Sequence, residues 1–424
     1  MKPRFMMVVP MLALALVLAL SLSLSQPIAA QDATPTSMPT ATFVPSTEGT
    51  LTIWSDAGRL PALEALGAAF TEEYSVPVRI QTMAFGDVRN NLQLGGPAGE
   101  GPDIVVGAHD WLGQLYGNGL LMPLELSEEA LANIDPVAIQ AFTYGGQLLG
   151  LPYSTEAIGV YYNTDLIPEL PATWAEMIDL VQQLVADGLV ERGIAIPNGA
   201  GDPYHHYPIF TGFGGYVFGR DEAGSYNPSD VGLDNEGGIA AIEEIQRLTE
   251  LGLLDAAVDY GTGESLFHEG KLAIWITGPW ALNGIRESGV PYAVAPIPMM
   301  QQTPRPFVGS QGFLINAFSA NPLLAQAFLS EFVATDEGMQ LLYDAVPFIP
   351  AWTPLKGQID DQDLAAFAEV VANGEPMPAI PEMSAVWTAW GNAIALVYQG
   401  QSDAAATITE AAEAIREEIA RAGS

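Results

Sequence analysis

The chain has 424 residues, of which 49% are hydrophobic and 15% are charged, so it carries enough apolar material for more than one hydrophobic core. Its 50 acidic and 14 basic residues give a formal net charge of -36, which argues against nucleic acid or an anionic membrane surface as a partner. The sequence contains no cysteine, which excludes disulfides, thiolate metal ligands, cysteine nucleophiles and a lipid-modified N-terminal cysteine.

The N-terminal residues are typical of a secretory signal. Lys2 and Arg4 precede an uncharged, apolar run at residues 5–25, and the small residues Ala29 and Ala30 follow. We expect residues 1–30 to be a signal peptide cleaved after Ala30, so that the mature protein is secreted across the cytoplasmic membrane to the periplasm or cell surface. An uncleaved helix that holds the chain in the membrane is the alternative, because a bilayer span needs roughly 20 apolar residues. Residues 31–49, rich in Thr, Pro and Ser, predict an extended tether.

Hydrophobic periodicity predicts an α/β lobe at the start of the mature chain. Residues 50–54 and 76–80 have the composition of strands, and residues 60–74 place Leu63, Leu66 and Phe70 on one helical face. Another strand is predicted at residues 104–106. The order strand, helix, strand favours parallel strands joined by a crossover helix and covered by helices.

The middle of the chain has the pattern of a second α/β lobe. Thr173 and Glu176 have capping-box spacing, which predicts the start of a helix. A further helix is predicted at residues 239–248, and strands are predicted at 272–276 and 292–297. After these we expect a strand at 312–316, a helix with Asn321 at its N-cap and Pro322 at its first position that runs to about residue 335, and a final helix at 402–422.

Scattered motifs carry a resemblance to a known family. They are GPDI (101–104), AHD (108–110), YNTDL (162–166), DPY (202–204), TGPWA (277–281), FVG (307–309), TDEG (335–338) and IPEMSAVW (380–387). By these motifs the chain resembles the family 1 extracellular solute-binding proteins, the group that contains the maltose- and maltodextrin-binding proteins of ABC importers. The resemblance extends over residues 51–421.

The resemblance implies a two-lobed α/β fold of the type II periplasmic-binding-protein class, in which each lobe is a β-sheet flanked by helices. The chain is expected to cross between the lobes near residues 154–158, 298–306 and 350–355. The implied organisation is a signal peptide (1–30), a tether (31–49), a first part of lobe 1 (50–154), a first part of lobe 2 (155–300), a second part of lobe 1 (301–352) and a C-terminal helical part of lobe 2 (353–424).

A sugar-binding cleft needs flat aromatic rings for the C–H faces of the sugar and charged or amide groups for its hydroxyls. The resemblance implies three aromatic platforms, namely Tyr204, Trp280 and Trp387. It implies five polar groups, namely the hydroxyl acceptors Asp110, Glu156 and Asp202 and the rim pair Asp56 and Arg59. Plainer interpretations stay open, because buried tryptophans often serve packing, carboxylates after strands often cap turns, and an exposed ion pair contributes little.

The chain departs from the maltose-binding pattern at several positions near this cleft. Gly107 stands where the pattern has an aromatic residue, and Trp111 stands where it has an arginine. Thr388 and Gly391 replace a tyrosine and an arginine near the C-terminal tryptophan. New aromatic or polar surface is offered by His205, His206, Tyr207 and Trp390. We therefore add Trp111 and Trp390 to the candidate ligand-binding residues and expect the outer or reducing-end subsites to be rebuilt, with simple packing as the alternative for Trp111.

These observations favour an extracytoplasmic substrate-binding subunit of a carbohydrate ABC importer. It would bind an oligosaccharide by hinge closure, with α-glucosides of the maltose and maltodextrin type as the leading class, and deliver it to the permease subunits. We expect a monomer without enzymatic activity, cofactor or metal; His205 and His206 are adjacent and point apart on regular structure.

Two alternatives remain. The same fold can bind another sugar, a polyol or a glycerol phosphate ester, although the few basic residues favour a neutral ligand. A secreted glycoside hydrolase is the other, in which Asp110 with Glu156 or Asp202 would serve as acid and base.

Overall fold

The computed structural model describes residues 49–198, 201–221, 225–400 and 402–422. The predicted signal peptide (1–30) and residues 31–48 of the predicted tether lie outside the described residues. Within the described part, two main β-sheets each pack against helices around a separate hydrophobic core, so the predicted two-lobed α/β fold is confirmed. In these same ranges, no helix has both the length and the apolar character needed to cross a membrane.

Strands and helices alternate through most of the chain. The strands are β1 (Leu51–Ser55), β2 (Val78–Thr82), β3 (Ile104–Ala108), β4 (Leu121–Met122), β5 (Thr143–Tyr144), β6 (Gln147–Leu148), β7 (Leu151–Glu156), β8 (Gly159–Asn163), β9 (Arg192–Ala195), β10 (Phe218–Arg220), β11 (Tyr226–Val231), β12 (Leu272–Thr277), β13 (Tyr292–Ala295), β14 (Phe307–Asn316), β15 (Ile349–Pro350) and β16 (Glu375–Pro376). The helices are α1 (Leu60–Tyr74), α2 (Phe85–Gly95), α3 (Leu112–Gly117), α4 (Glu128–Ala132), α5 (Pro136–Ala141), α6 (Trp174–Ala186), α7 (Pro203–Phe213), α8 (Glu236–Glu250), α9 (Tyr260–His268), α10 (Leu282–Ser288), α11 (Pro322–Ala327), α12 (Asp336–Ala345), α13 (Thr353–Lys356), α14 (Gln362–Asn373), α15 (Met383–Tyr398) and α16 (Ala404–Ala422). Short 3-10 turns lie at Ala57–Arg59, His109–Trp111 and Pro279–Ala281.

The first sheet has the strand order β15-β7-β14-β3-β1-β2, and β4 and β16 also pair with β14. Strand β1 is parallel to β2 and β3, which confirms the predicted crossover arrangement. Helix α1 has the predicted bounds and buries Leu63, Leu66 and Phe70. The Phe70 ring packs edge-on against Phe328 at 4.9 Å, so one aromatic contact joins the start of the chain to a segment far along the sequence.

The second sheet has the order β13-β8-β12-β9. Helix α6 begins after Thr173, whose hydroxyl accepts a hydrogen bond from the Glu176 N–H at 3.3 Å, as the capping-box spacing predicts. Helices α8, α15 and α16 pack together beside this sheet, and α16 buries Ile408 and Ile415. The final helix and the helix at residues 239–248 are therefore confirmed within a few residues.

The chain passes between the two sheets where strands end. Strand β7 belongs to the first sheet and β8 to the second, and two buried residues, Ala157 and Ile158, separate them. Strand β13 of the second sheet is followed by β14 of the first. Phe307, the first residue of β14, lies in the hydrophobic cluster of the second lobe. The crossing strands thus carry side chains into the region where the lobes meet.

Two elements differ from the sequence-based expectation. Strand β14 begins at Phe307, five residues before the predicted start at 312. The helix that begins at Pro322 is regular only to Ala327 and then continues as a π-helical segment, Phe328–Val333. Asn321 is at the N-cap, but its side chain makes no capping bond, because it donates to Asp103 and accepts from the N–H of Gly49.

Asp103 is a buried carboxylate that joins three elements of the first lobe. Its oxygens accept from the N–H of Thr52 at 2.7 Å, from the Ser319 hydroxyl at 2.6 Å and from the N–H of Asn321 at 3.3 Å. We expect Asp103→Ala to lower the free energy of unfolding by about 3 kcal/mol, because it leaves buried donors without an acceptor. Urea denaturation measures this. As a control, Asp187→Ala removes an exposed carboxylate and should change the value by less than about 0.5 kcal/mol; similar losses in both variants would contradict the assignment.

Candidate functional site

Predicted site residues lie directly after strands of both sheets. Asp110 lies in the turn after β3, Glu156 is the last residue of β7, and Trp280 lies in the turn after β12. In α/β proteins, ligand-binding side chains gather beyond the carboxyl ends of strands. The fold therefore positions these three residues at the kind of edge where a binding cleft forms.

Two of the aromatic residues predicted as platforms, Tyr204 and Trp387, lie beside Phe307, and the third, Trp280, lies beside Tyr204. The ring of Phe307 lies 6.3 Å from that of Tyr204, nearly parallel to it, and 6.3 Å from that of Trp387, edge-on. The Trp280 ring is 6.3 Å from Tyr204 and is 36% exposed. A Cβ atom on Gly278 would lie 2.2 Å from the Trp280 ring, so this indole rests directly on backbone. The three predicted platforms are thus neighbours, with Trp280 open to solvent.

The three predicted carboxylates all affect the pKa of the Tyr204 hydroxyl. Burial raises the pKa of the Tyr204 hydroxyl well above its ordinary value, and the charges of Glu156, Asp110 and Asp202 raise it further. Burial also raises the pKa of Asp110 and of Glu156, although positively charged neighbours partly oppose the effect. Asp110 is 8% exposed and therefore lies in a water-poor region, where a hydrogen bond to a ligand hydroxyl is stronger than in water.

Asp202 is held by a hydrogen-bond network at the start of α7. It is the N-cap, and its two oxygens accept from the backbone N–H of His205 at 3.0 Å and from the His205 Nδ1 at 2.6 Å. The His205 Nε2 lies 3.2 Å from the Thr277 hydroxyl. Burial alone would raise the pKa of Asp202, but its interactions with His205 lower it, so this carboxylate is ionised. His206 lies on the other side of the helix, bonded to the Asp202 carbonyl and to the Tyr398 hydroxyl at 2.7 Å each.

The rim pair is a connected group, since Arg59 donates to the Asp56 carboxylate and, at 2.6 Å, to the Tyr153 hydroxyl. Its guanidinium also lies 5.1 Å from the centre of the Phe85 ring. A cavity of about 80 Å³ is lined by Asp56, Arg59, Tyr153, Glu156, Trp280 and residues of the first lobe. A larger surface groove of about 470 Å³ lies at Asp336, Gln340 and Leu355, and no predicted site residue lines it. The smaller cavity is the candidate site, because the rim pair, Glu156 and Trp280 line it.

Trp111 lies in the core of the first lobe and is only 4% exposed. Its ring packs on Phe85 at 4.8 Å, and Arg89 lies 6.0 Å from the ring centre. A Cβ atom on Gly107 would lie 2.2 Å from the same indole. The two residues that depart from the maltose-binding pattern at positions 107 and 111 therefore pack against each other. This placement does not support a direct contact between Trp111 and a ligand.

Trp390 is fully buried and packs edge-on against Phe210 at 4.8 Å, so its placement also does not support ligand contact. Gly391, the next residue, faces Gly201: a Cβ atom on Gly201 would lie 1.8 Å from the Gly391 carbonyl oxygen, and Gly201 has φ +102°. The glycine at position 201 thus lets the backbone before Asp202 approach helix α15 closely.

Several residues of this region were not identified from the sequence. They are Tyr153, Phe307, Gly309 and Gln311. The FVG motif at 307–309 was noted for family resemblance alone, since strand β14 was predicted to start only at residue 312. Strand alternation from residue 307 would have placed positions 309 and 311 on one face. Among the described residues, no group of three or more His, Asp or Glu side chains is arranged to hold a metal ion.

Comparisons with known proteins give a consistent result. The sequence model of a family described as bacterial extracellular solute-binding protein matches residues 65–362. A galactooligosaccharide-binding protein of Bacillus subtilis is 31% identical over 380 residues, which covers 87% of this chain and 89% of the relative. A maltodextrin-binding protein of Bacillus subtilis is 30% identical, with 83% of this chain and 85% of the relative covered. The solved structure of a Thermus thermophilus maltotriose-binding protein with maltotriose superposes with a TM-score of 0.81 at 32% identity, covering 87% of this chain and 100% of that one.

Gly107 and Trp111 form a pair whose coupling can be measured. We expect Gly107→Ala to destabilise the protein by about 2 kcal/mol, because the new methyl group overlaps the Trp111 ring. In the Gly107→Ala and Trp111→Leu double variant, the loss should be smaller than the sum of the two single losses. Urea denaturation measures all three variants. Gly86→Ala is the control, since its Cβ meets nothing within 4 Å; strict additivity in the double variant would refute the packing argument.

His206 should make stability depend on pH. Burial lowers its pKa from 6.5 to about 4. The unfolded chain therefore binds more protons between pH 6.5 and 4, so the stability from this group is complete above pH 6.5 and is lost as pH falls towards 4. Between pH 7 and pH 4.5 this loss is about 2 kcal/mol and should disappear in His206→Phe. Urea denaturation at both pH values, with NMR titration of the ring, checks it; a ring midpoint near 6.5 would contradict the expectation.

Proposed function

Because the chain belongs to the bacterial extracellular solute-binding protein family, we propose that it is the substrate-binding subunit of a carbohydrate ABC importer. In this proposal it binds an oligosaccharide between its lobes and presents the closed form to the permease subunits. We also propose that it acts as a monomer after secretion across the cytoplasmic membrane. The two-lobed fold supports this role, since a ligand that contacts both lobes favours the closed state by its difference in contacts between open and closed forms.

One observation carries the proposal: the Tyr204 hydroxyl and the Glu156 carboxylate lie together at Gly309, and the Tyr204 ring is a neighbour of the exposed Trp280 ring. Burial and the charges of Glu156, Asp110 and Asp202 keep that hydroxyl protonated, so it can donate to a ligand. The carboxylates are acceptors, and the exposed face of Trp280 offers an apolar surface for a sugar ring. This combination of acceptors and flat rings is the chemistry that a neutral carbohydrate requires.

Ligand entry requires the lobes to separate. The cavity lined by Glu156, Arg59 and Trp280 holds about 80 Å³. Sites for small molecules usually have about 300–1,000 Å³, so this cavity alone is too small for an oligosaccharide. Separation at the crossing strands, such as β7 to β8, would enlarge the cleft without unfolding either core.

We propose an α-glucoside of the maltodextrin type as the ligand. Two similar proteins bind maltodextrin or maltotriose by name. A galactooligosaccharide is the second candidate, since a similar protein at 31% identity binds that class. A phosphate ester is disfavoured because Arg59, the cation that lines the cavity, is already engaged by Asp56 and Tyr153.

We further propose that the protein binds its ligand without turnover. The matching family and the relatives are solute-binding proteins. Prolonged incubation of the purified protein with maltotriose or a galactotriose should leave the sugar intact by chromatography. Release of monosaccharide would instead support the hydrolase alternative with Asp110 and Glu156 as the reacting pair.

A ligand panel with a Trp280 variant tests the proposal. A ligand at 100 times its dissociation constant should raise the free energy of unfolding by about 2.7 kcal/mol, which thermal shift detects. We expect this response with maltotriose, with a galactotriose as the second candidate, and none with glycerol 3-phosphate. Trp280→Ala should weaken binding by about tenfold or more in calorimetry, because the ring face is lost.

Leu323→Ala is the control for this substitution, since Leu323 is an exposed apolar residue of the first lobe that lines no cavity described above. It should bind like the unaltered protein. If no oligosaccharide of either class shifts the transition, the ligand proposal is wrong. If Trp280→Ala binds as tightly as the control, Trp280 is not a platform.

A further inference from the structure

Two buried polar atoms near Glu156 have no hydrogen-bond partner among the described residues. They are the hydroxyl oxygen of Tyr204 and the side-chain amide oxygen of Gln311. Burying such an atom without a partner costs roughly 1–3 kcal/mol, so native proteins seldom leave it unused. The Tyr204 hydroxyl can donate a hydrogen bond, whereas the Gln311 amide oxygen can only accept one.

Strand geometry places both atoms over the same face of the first sheet. Gly309 and Gln311 are two residues apart on β14 and therefore point the same way. Glu156 on β7 pairs directly with Gly309, so its side chain lies on that face as well. A Cβ atom on Gly309 would lie 3.2 Å from the Tyr204 hydroxyl and 3.6 Å from the Glu156 Oε1. The glycine thus leaves room for these groups to approach each other.

Gln311 also holds Glu156. Its amide Nε2 donates to the Glu156 Oε1 at 2.7 Å, and the Gln311 side chain is 4% exposed. This bond fixes which way the amide points, because the nitrogen must face the carboxylate. The amide oxygen consequently turns away from Glu156 and stays free to accept.

We propose that Gln311 is a specificity-determining residue of the ligand site, whose amide oxygen accepts from one ligand hydroxyl while its amide nitrogen orients Glu156. The same ligand oxygen accepts from the Tyr204 hydroxyl, so one sugar hydroxyl both donates and accepts at this point. The inference rests on the proposed carbohydrate-binding function. It assigns to Gln311 a ligand contact of its own and to Tyr204 a polar contact in addition to its ring.

This arrangement would make the site selective for one hydroxyl of the ligand. A ligand without that hydroxyl leaves both the Tyr204 and the Gln311 atoms buried and unpaired. Sites built in this way reject the analogue that lacks the hydroxyl far more strongly than an apolar pocket rejects an extra group. Gln311 would therefore discriminate among sugars that differ at one position.

The experiment combines Gln311 variants with deoxy sugars. Calorimetry with maltotriose, or with a galactotriose if that is the sugar bound, should show Gln311→Met weakened about tenfold. Among singly deoxygenated analogues, one should bind the unaltered protein at least about tenfold more weakly than the parent sugar. With Gln311→Met its penalty relative to the parent sugar should be clearly smaller, because only the Tyr204 contact remains to be lost. Equal penalties for every analogue in both proteins would overturn the ligand contact.

A second variant separates this role from simple packing. Gln311→Glu has nearly the same shape but sets a carboxylate against Glu156. At pH 5 the two carboxylates can share a proton and restore a hydrogen bond, whereas at pH 8 both are ionised and repel. The affinity of Gln311→Glu relative to the unaltered protein should therefore fall as pH rises. A ratio that does not change with pH would contradict the orienting role.

The matched control is Gln246→Met. Gln246 makes the same type of bond, from its Nε2 to Glu250 at 3.0 Å, on an exposed helix face. It should change neither affinity nor pH dependence.

Without any ligand, NMR titration should show a higher pKa for Glu156 in Gln311→Met, because the bond that favours the ionised form is gone. If the unaltered protein binds no oligosaccharide, the proposed function and the ligand contact both fail, while an unmoved Glu156 titration overturns the orienting role alone.

Discussion

The double pairing of strand β14 is the constraint on which the rest of the structure depends. This strand is antiparallel to β3 on one side and β7 on the other, so the ends of three strands are fixed relative to one another. Its backbone N–H at Ser310 donates to the His109 Nδ1, and the His109 Nε2 lies 3.1 Å from the Met377 carbonyl. Burial lowers the pKa of His109, so the neutral ring satisfies both contacts. Asp110 and Glu156 are consequently held on a rigid base.

Apolar periodicity in the sequence was sufficient to predict the lobes. Helix α1 and the strands around it follow from hydrophobic faces that repeat over many residues, and burial then selects the same faces in the structure. The end of a buried strand is harder to predict, because a continuous apolar run gives no alternation. For this reason β14 was predicted too short, and Gln311 was assigned no role even though it contacts Glu156.

The family motifs predicted the candidate site residues, but the sequence did not predict which residues surround each of them. Nothing in the sequence indicates that the Trp111 ring would occupy the space beside Gly107, since the two residues come together only through the turn after β3. Likewise, the contact of Gly201 with Gly391 joins segments nearly 200 residues apart. Long-range contacts of this kind decide whether a tryptophan faces a core or a cleft. Composition and spacing do not contain that information.

The support of Trp280 by the backbone of Gly278 has a spectroscopic consequence. The chain has eight tryptophans, and six of them are buried, namely Trp54, Trp111, Trp174, Trp275, Trp352 and Trp390. They lie within the cores, where the indole N–H groups of Trp174 and Trp352 donate to Glu244 and Asp336. Trp387 is partly buried, and Trp280 is 36% exposed. Any change in intrinsic fluorescence when the cleft is occupied would therefore arise chiefly from Trp280 and Trp387, which makes the natural chain its own optical reporter without an added label.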